Sequence, residues 1–317
     1  MTILILHSER KLSIVSVMIR PLFTILGVTL ILGALPAPAQ RAEAKLVRHL
    51  DAVYQHWRAA MLTKNHTKWK TITATHRQIS ITNRIHSERR PVASTLFSLP
   101  AIPPDTRKLK LLDAKVKGIT ANLSFFGPVD FGVEGVKPPD NLLTLSFVRE
   151  GAGWRYDTAD YVNLAVLPEV RQQLAAGQLA HFKQPEFTPK GSVVQPMVTL
   201  RGPVKYIAKT YVYCPGREVK MSVNKVSRHL YQNTKESEIV IGGARDGRNE
   251  VQFAITSLPG SVGTEPLAIR VYLLSQIQGT KPIKIFQYQV AEKNKVKPFG
   301  TEHFLVTPAI GKQILGR

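Results

Sequence analysis

The chain has 317 residues and a formal net charge of +21, from 43 lysines and arginines against 22 aspartates and glutamates. A chain of this length can bury enough apolar surface to fold without cross-links, and a single cysteine, Cys214, excludes a disulfide within the chain. The sequence is therefore not that of a small disulfide-stabilised protein, and we expect about two domains.

The N-terminal residues have the composition of a secretion signal. Leu22–Leu35 is an uncharged apolar run, shorter than the roughly 20 residues of a membrane-spanning helix and within the range of a signal-peptide core. Ala37-Pro38-Ala39 then places small residues at the two positions that signal peptidase recognises. We predict a signal peptide over residues 1–39, a mature chain that begins at Gln40, and a periplasmic or secreted protein.

The translation start stays open between two methionines. Met18 gives a short basic lead directly before the apolar run, whereas Met1 gives a longer lead whose charge comes from Arg10, Lys11 and Arg20. Both starts lead to export. Cys214 lies far from the cleavage site, so the sequence indicates no lipid anchor. We also predict no transmembrane helix in the mature form.

Positive charge is concentrated at the two ends of the mature chain. Residues 40–100 carry eleven basic and three acidic side chains, residues 101–182 carry nine of each, and residues 183–317 carry twenty and nine. Such surpluses suit an anionic polymer, a lipid surface or a protein partner in the cell envelope, although general solubility is the alternative. Export argues against nucleic acid.

Apolar spacing predicts the first elements. Leu46, Leu50, Val53, Trp57 and Ala60 recur at helical intervals. A second short helix is expected over Asn65–Thr73, and an alternating segment over 77–85 favours a strand. His49 and His56 fall on one side of the first helix, but no third ligand accompanies them, and we predict no metal site.

A proline-rich loop over 91–110 precedes a predicted antiparallel sheet. Strands are expected over 116–126 and 142–148, and the second turns through glycine into Trp154. A short helix follows, from Pro168 to Gly177.

Two helices followed by this sheet and by the hairpin LLTLSFVREGAGWRYD resemble the ketosteroid-isomerase and nuclear-transport-factor superfamily, called SnoaL-like. The resemblance covers residues 42–165. It implies an α+β cone over residues 40–182, with helices packed on a curved antiparallel sheet around a pocket. Members of this superfamily include enzymes, ligand binders and interaction modules, so the fold leaves the function open.

The isomerase-type members use a carboxylate base together with tyrosine and acid donors. The candidates for such a pocket are Asp130, Asp157, Tyr54, His76 and His86. Asp130 also suits a turn, and Asp157 a strand end. The chain has no HExxH, zinc-ligand, GxSxG or Walker motif, and the sequence indicates no cofactor and no metal.

Residues 183–195 have the composition of an interdomain linker. Residues 196–310 then show strand-like runs at intervals of about 8 to 12 residues, the spacing of an all-β sandwich. The pattern is similar to immunoglobulin-like and fibronectin-like domains, without the Cys-Trp-Cys pins. Cys214 is expected to be a structural thiol at a strand end, and Phe286 and Tyr288 to serve the core.

The sequence favours a non-catalytic envelope protein with a binding or scaffolding role, whose partner is anionic. The alternative is a small-ligand enzyme or ligand binder that uses the pocket of the first domain. A deep polar pocket that holds Asp130 or Asp157 close to Tyr54 would favour the alternative, and a filled interior would favour binding.

We expect the protein recovered from cells to begin at or near Gln40, because Ala37-Pro38-Ala39 is the small-residue site that follows the apolar run. Mass spectrometry of the N-terminus measures this directly. Retention of Met1 or Met18 on a membrane-bound form would show that the apolar run is an anchor.

Overall fold

The computed structural model describes residues 37–132, 137–183 and 185–316. The predicted signal peptide up to Pro36 lies outside the described residues. The chain divides into two compact units: the first ends at Ala74 and resumes over 99–193, and the second comprises 75–98 together with 194–317. The chain therefore passes from one unit to the other three times.

The architecture is a mixture of helices and antiparallel strands, as the sequence predicted. The helices are α1 (Ala37–Leu62), α2 (His66–Ile72), α3 (Thr75–Ser87), α4 (Val92–Leu96), α5 (Pro168–Ala175) and α6 (Pro308–Leu315). The strands are β1 (Lys110–Lys117), β2 (Thr120–Pro128), β3 (Asp140–Glu150), β4 (Gly153–Asn163), β5 (Ile207–Tyr213), β6 (Arg217–Val223), β7 (Ser227–Gln232), β8 (Lys235–Ile239), β9 (Gly247–Ser257), β10 (Leu267–Leu274), β11 (Ile283–Val290) and β12 (Phe299–Val306). No helix in the described ranges is long and apolar enough to span a membrane.

The first unit contains one four-stranded sheet in the order β1-β2-β3-β4. Leu50 and Tyr54 of α1 belong to a buried cluster with side chains of β2, β3 and β4. A second cluster contains Leu142 of β3, Leu174 of α5, and Leu164, which lies between β4 and α5. Strand β3 therefore contributes to two hydrophobic clusters, which explains its nearly continuous apolar sequence.

Several local predictions for this unit are confirmed. The short helix expected over Asn65–Thr73 is α2 (His66–Ile72). The Asn65 side chain caps it by accepting a hydrogen bond of 2.9 Å from the Lys68 N–H. Glu150 pairs with Gly153 in the predicted β3–β4 hairpin. Pro168 begins α5, where its fixed backbone angle suits the first helical turn.

The predicted strand over 77–85 is wrong, because this segment lies within α3. Its polar side chains bind backbone groups of the second unit. Asn83 donates to the Val198 carbonyl at 2.7 Å and accepts from the Leu200 N–H at 2.8 Å. Ser87, one turn later, accepts from the Gly242 N–H at 3.0 Å. The alternation of apolar residues was too short to distinguish a strand from a helix with a buried polar edge.

Helix α4 is a second correction, since it lies in the segment predicted as a proline-rich loop. Pro91 sits at its N-cap, where a missing N–H costs little.

The second unit contains two four-stranded sheets, in the orders β11-β10-β5-β8 and β12-β9-β6-β7. Side chains of both sheets form one buried cluster, which includes Val212, Val219, Val251 and Ile269. Cys214 follows β5 directly and is fully buried, as expected of a structural thiol at a strand end.

The division of the chain differs from the expected domains 40–182 and 196–310. Residues 75–98 belong to the second unit, because α3 binds the backbone there through Asn83 and Ser87. The segment predicted as a linker, 183–195, lies mostly in the first unit. Its Gly191 donates to the Thr120 hydroxyl at 2.8 Å and accepts from the Ile119 N–H at 3.0 Å.

We expect Cys214 to report the opening of the second unit alone, because it is buried and burial raises the pKa of its thiol. The three tryptophans, Trp57, Trp69 and Trp154, lie in the first unit. Asn83→Ala leaves the part-buried Val198 carbonyl and Leu200 N–H without this partner and costs about 1–3 kcal/mol. Labelling by a thiol-specific disulfide reagent should then become about tenfold faster or more.

The urea midpoint of the tryptophan fluorescence transition reports the first unit, and Asn83→Ala should change it much less than it changes the labelling rate of Cys214. The exposed Asn294→Ala provides the matched control and should label like the unmodified protein. Equal labelling of Asn83→Ala and the unmodified protein would contradict the role of α3 in this unit.

Candidate functional site

Tyr54, the tyrosine predicted for a pocket, lies on α1 and is fully buried. Its hydroxyl donates a hydrogen bond of 2.8 Å to the Pro104 carbonyl. Its ring stacks on Trp57 at 5.8 Å and packs against Tyr156 at 5.6 Å. Burial raises its pKa far above the usual value. Aromatic rings thus fill this part of the interior, and Tyr54 has the contacts of a structural residue.

A polar network beside Tyr54 holds the proline-rich loop on α1. The Thr106 hydroxyl donates to Asp51 at 2.5 Å and accepts from the Gln55 amide at 2.6 Å. Arg107 forms hydrogen bonds with Asp105, which hold the pKa of that carboxyl well below its usual range. These groups satisfy one another, and the network therefore explains how the loop is ordered.

The two predicted carboxylates have structural surroundings of their own. Asp130 is exposed after β2 and accepts a hydrogen bond of 2.7 Å from the Gly132 N–H, as a turn residue does. The expectation of a strand end for Asp157 is wrong, because Asp157 lies within β4 as the extra residue of a β-bulge, where the register shifts opposite Ser146 and Phe147. The charged groups that act on the Tyr54 hydroxyl are different ones, Arg58, Asp105 and Asp51 among them.

The predicted histidines do not join this group. His76 and His86 lie on α3, which belongs to the second unit. Among residues 37–132, 137–183 and 185–316, no group of three or more histidine, cysteine, aspartate or glutamate side chains could hold a metal ion. A shallow depression of about 470 Å³ lies between α1 and β1, and none of the predicted site residues lines it.

A serine, a histidine and a glutamate of the second unit are connected in the order seen in hydrolases. The Ser227 hydroxyl lies 2.8 Å from Nε2 of His229, and Nδ1 of His229 lies 2.6 Å from the Glu238 carboxylate. Ser227 is only 1% exposed, however, and accepts a hydrogen bond from the Ile241 N–H at 2.8 Å. A buried serine oxygen that already accepts a backbone donor cannot reach a substrate, so the three residues form a structural bridge between β7 and β8.

The most distinctive surface of the second unit is the outward side of the sheet β11-β10-β5-β8. Successive side chains of a strand point to opposite faces of the sheet. The residues next to the buried Val212 and Ile269 along β5 and β10 therefore point away from the core. We call these outward side chains the basic tyrosine face: Lys209, Tyr211, Tyr213, Lys235, Arg270, Tyr272, Lys284, Gln287 and Gln289.

The basic tyrosine face carries four cations and no carboxylate. The outward positions of its four strands contain no aspartate or glutamate. The two glutamates of β8 are engaged elsewhere, because Glu238 contacts His229 and Glu236 accepts from the Thr234 hydroxyl. Within the described ranges, none of the four cations lies within ion-pair distance of a carboxylate. No carboxylate of the described residues therefore pairs with them directly.

The polar groups of this face are held by one another. The Arg270 guanidinium lies over the Tyr211 ring, 5.6 Å from its centroid, and donates to Gln289 at 3.0 Å. Gln287 donates to the same Gln289 oxygen at 3.0 Å, and Lys284 donates to Gln287. Tyr213 is 37% exposed. Ile207 and Ile239 lie at one end of the face and are buried.

Charge counting by segment gave basic surpluses at both ends of the mature chain, residues 40–100 and 183–317, but did not identify these residues. The strand with the clearest mixture of lysine and aromatic residues, β11, contributes Phe286 and Tyr288 to the core or its edge, as the sequence predicted. The outward tyrosines come from β5 and β10, which are distant in sequence and paired through Tyr211 and Arg270. Comparisons with protein-family models, with curated proteins and with solved structures find no match.

We expect the first unit to lose stability as the pH rises from about 10 to 12. Burial raises the pKa of Tyr161 to about 12 from an ordinary value of 10.0, and it raises that of Tyr54 further. The unfolded chain therefore releases these protons first, and unfolding becomes more favourable over this range.

The measurement is urea unfolding followed by tryptophan fluorescence at several alkaline pH values. Tyr54→Phe and Tyr161→Phe should each make the fall of the free energy of unfolding shallower. Tyr213→Phe, in the second unit, is the control and should leave the slope unchanged. An unaltered slope in Tyr54→Phe would mean that its hydroxyl is not buried.

Proposed function

We propose that this protein is an exported, non-catalytic envelope protein that binds an anionic polymer through the basic tyrosine face of its second unit. The observation that carries this proposal is the presence of four cations without a neighbouring carboxylate on one side of one sheet. Four like charges spread over one side of a sheet repel one another, although the register pairs no two of them directly. A bound polyanion relieves this repulsion and gains several contacts at once.

The surface chemistry favours a polymer over a small anion. The cations are distributed over all four strands of the sheet: Lys235 on β8, Lys209 on β5, Arg270 on β10 and Lys284 on β11. A small anion can contact only one or two of these groups, whereas an extended chain can cross the sheet. Local concentration of one sign of charge also accelerates the encounter with a ligand of the opposite sign.

The proposal also includes the fold of each unit and the export of the protein. The packing of α1 on one sheet supports a SnoaL-like cone for the first unit. The single core shared by two sheets supports an immunoglobulin-like sandwich for the second unit. The apolar run Leu22–Leu35 and the small residues after it support a signal peptide and a periplasmic or secreted location.

The alternative, a small-ligand enzyme in the first unit, receives less support. Tyr54 is buried among aromatic rings with its hydroxyl engaged by Pro104, and Asp130 forms a turn. A catalytic tyrosine would need a hydroxyl that a substrate can reach.

The purified protein should be retained on immobilised dextran sulfate at low ionic strength and should be released as salt rises, because surface charges are screened within about 10 Å at 0.1 M salt. The combined variant Lys209→Gln, Lys235→Gln, Lys284→Gln removes three charges from the face. Its affinity should fall about tenfold or more at low salt.

The matched control is Lys220→Gln, Lys225→Gln, Lys312→Gln, which removes the same charge from positions outside the face. It should bind nearly as well as the unmodified protein. Equal losses in the two variants would show that binding depends on net charge alone. Retention that is indifferent to salt would overturn the proposal.

A further inference from the structure

We infer that the anionic polymer is an acidic polysaccharide whose sugar rings lie on the tyrosines of the basic tyrosine face. This inference rests on the proposed function and specifies its ligand. The observation behind it is an arrangement in which aromatic rings and cations are neighbours both along the strands and across them.

The register of β5 with β10 produces this arrangement. Tyr211 lies opposite Arg270, and Lys209 lies opposite Tyr272. Along β5 the outward side chains are Lys209, Tyr211 and Tyr213, separated by roughly 7 Å. A cation is therefore the cross-strand partner of Tyr211 and of Tyr272. A ligand that presents ring faces and negative charges at short intervals satisfies both kinds of group together.

Sugar rings carry apolar C–H faces that pack on aromatic side chains, and their hydroxyls form hydrogen bonds with amides. Tyr211 and Tyr272 are half-buried, so their rings offer contact area, and binding costs them little conformational freedom. Gln287 and Gln289 are exposed beside them. The oxygen of Gln289 already accepts from Arg270 and from Gln287, which leaves its amide N–H groups for hydroxyl oxygens.

Arg270 provides the recognition of the acidic group. Its guanidinium is oriented by the Tyr211 ring and by Gln289 before any ligand arrives. The planar guanidinium matches the two oxygens of a carboxylate or of a sulfate, and prior orientation reduces the entropy that binding would otherwise cost.

A lipid surface suits this face less well. Membrane-binding surfaces insert exposed leucine, phenylalanine or tryptophan side chains into the bilayer. The exposed side chains among the residues of this face are those of Lys235, Lys284, Gln287 and Gln289, which are strongly hydrated, and that of Tyr213, which carries a polar hydroxyl. Nucleic acid also combines rings, its aromatic bases, with negative charge, its phosphates. The experiment therefore includes single-stranded DNA.

The experiment compares three soluble polymers at equal charge concentration and low salt: polygalacturonate, poly-L-glutamate and single-stranded DNA. Further arms use dextran sulfate and vesicles containing anionic lipid. Polygalacturonate and poly-L-glutamate carry the same carboxylate, but only the first has sugar rings. Binding is measured by titration calorimetry on the full protein. We expect polygalacturonate or, in a fourth arm, dextran sulfate to bind about tenfold more tightly than poly-L-glutamate.

Variants identify the rings. The pair Tyr213→Ala, Tyr272→Ala spares the Tyr211 ring that orients Arg270. It should lower the affinity for the polysaccharide about tenfold and leave that for poly-L-glutamate nearly unchanged. The pair Tyr213→Phe, Tyr272→Phe retains the rings and should bind the polysaccharide nearly as well as the unmodified protein. Unchanged protection of Cys214 from thiol labelling shows that each variant is folded.

The outcomes separate this inference from the proposed function. Equal affinity for polysaccharide and poly-L-glutamate would overturn the inference, because charge alone would explain binding, and would leave the proposed function standing. Tightest binding to DNA, or to vesicles containing anionic lipid, would also overturn it. If no polyanion binds at low salt, both proposals fail.

Discussion

The two-residue repeat of a β-strand, fixed in register by a hydrophobic core, is the constraint on which the surface chemistry of this protein depends. Val212 of β5 and Ile269 of β10 are paired and fully buried. A slip of one residue would bury lysines and expose valines, so the core specifies which side chains face outward. The neighbourhood of Tyr211 and Arg270 is therefore stabilised by the apolar side chains on the other side of the same sheet.

Local patterns were sufficient for elements whose apolar side chains repeat over several turns or strands. Helix α1 and the β3–β4 hairpin follow from spacing and turn chemistry alone. Helix α3 could not be predicted in this way, because the groups that make its polar edge favourable are contributed by Val198, Leu200 and Gly242, more than a hundred residues away. Without those partners a buried Asn83 would be costly, and the sequence gives no sign of them.

The candidate site depended even more on long-range information. The excess of positive charge at the end of the chain was visible in the sequence, but its arrangement required the pairing of β5 with β10 and β8. The sequence also could not show that the glutamates of β8 point toward His229 and Thr234. Tyr54 illustrates the converse: a tyrosine with the right position for a pocket was found inside an aromatic cluster.

The interleaving of the two units has a consequence for the order of events during synthesis. Residues 75–98 leave the ribosome before most of the first unit, yet their partners lie beyond residue 193. Helix α3 must therefore wait until nearly the whole chain has been made, and the contacts it finally forms close very long loops. During this interval its apolar side chains lack their final partners, and the segment stays open to misassembly until the end of the chain has been made.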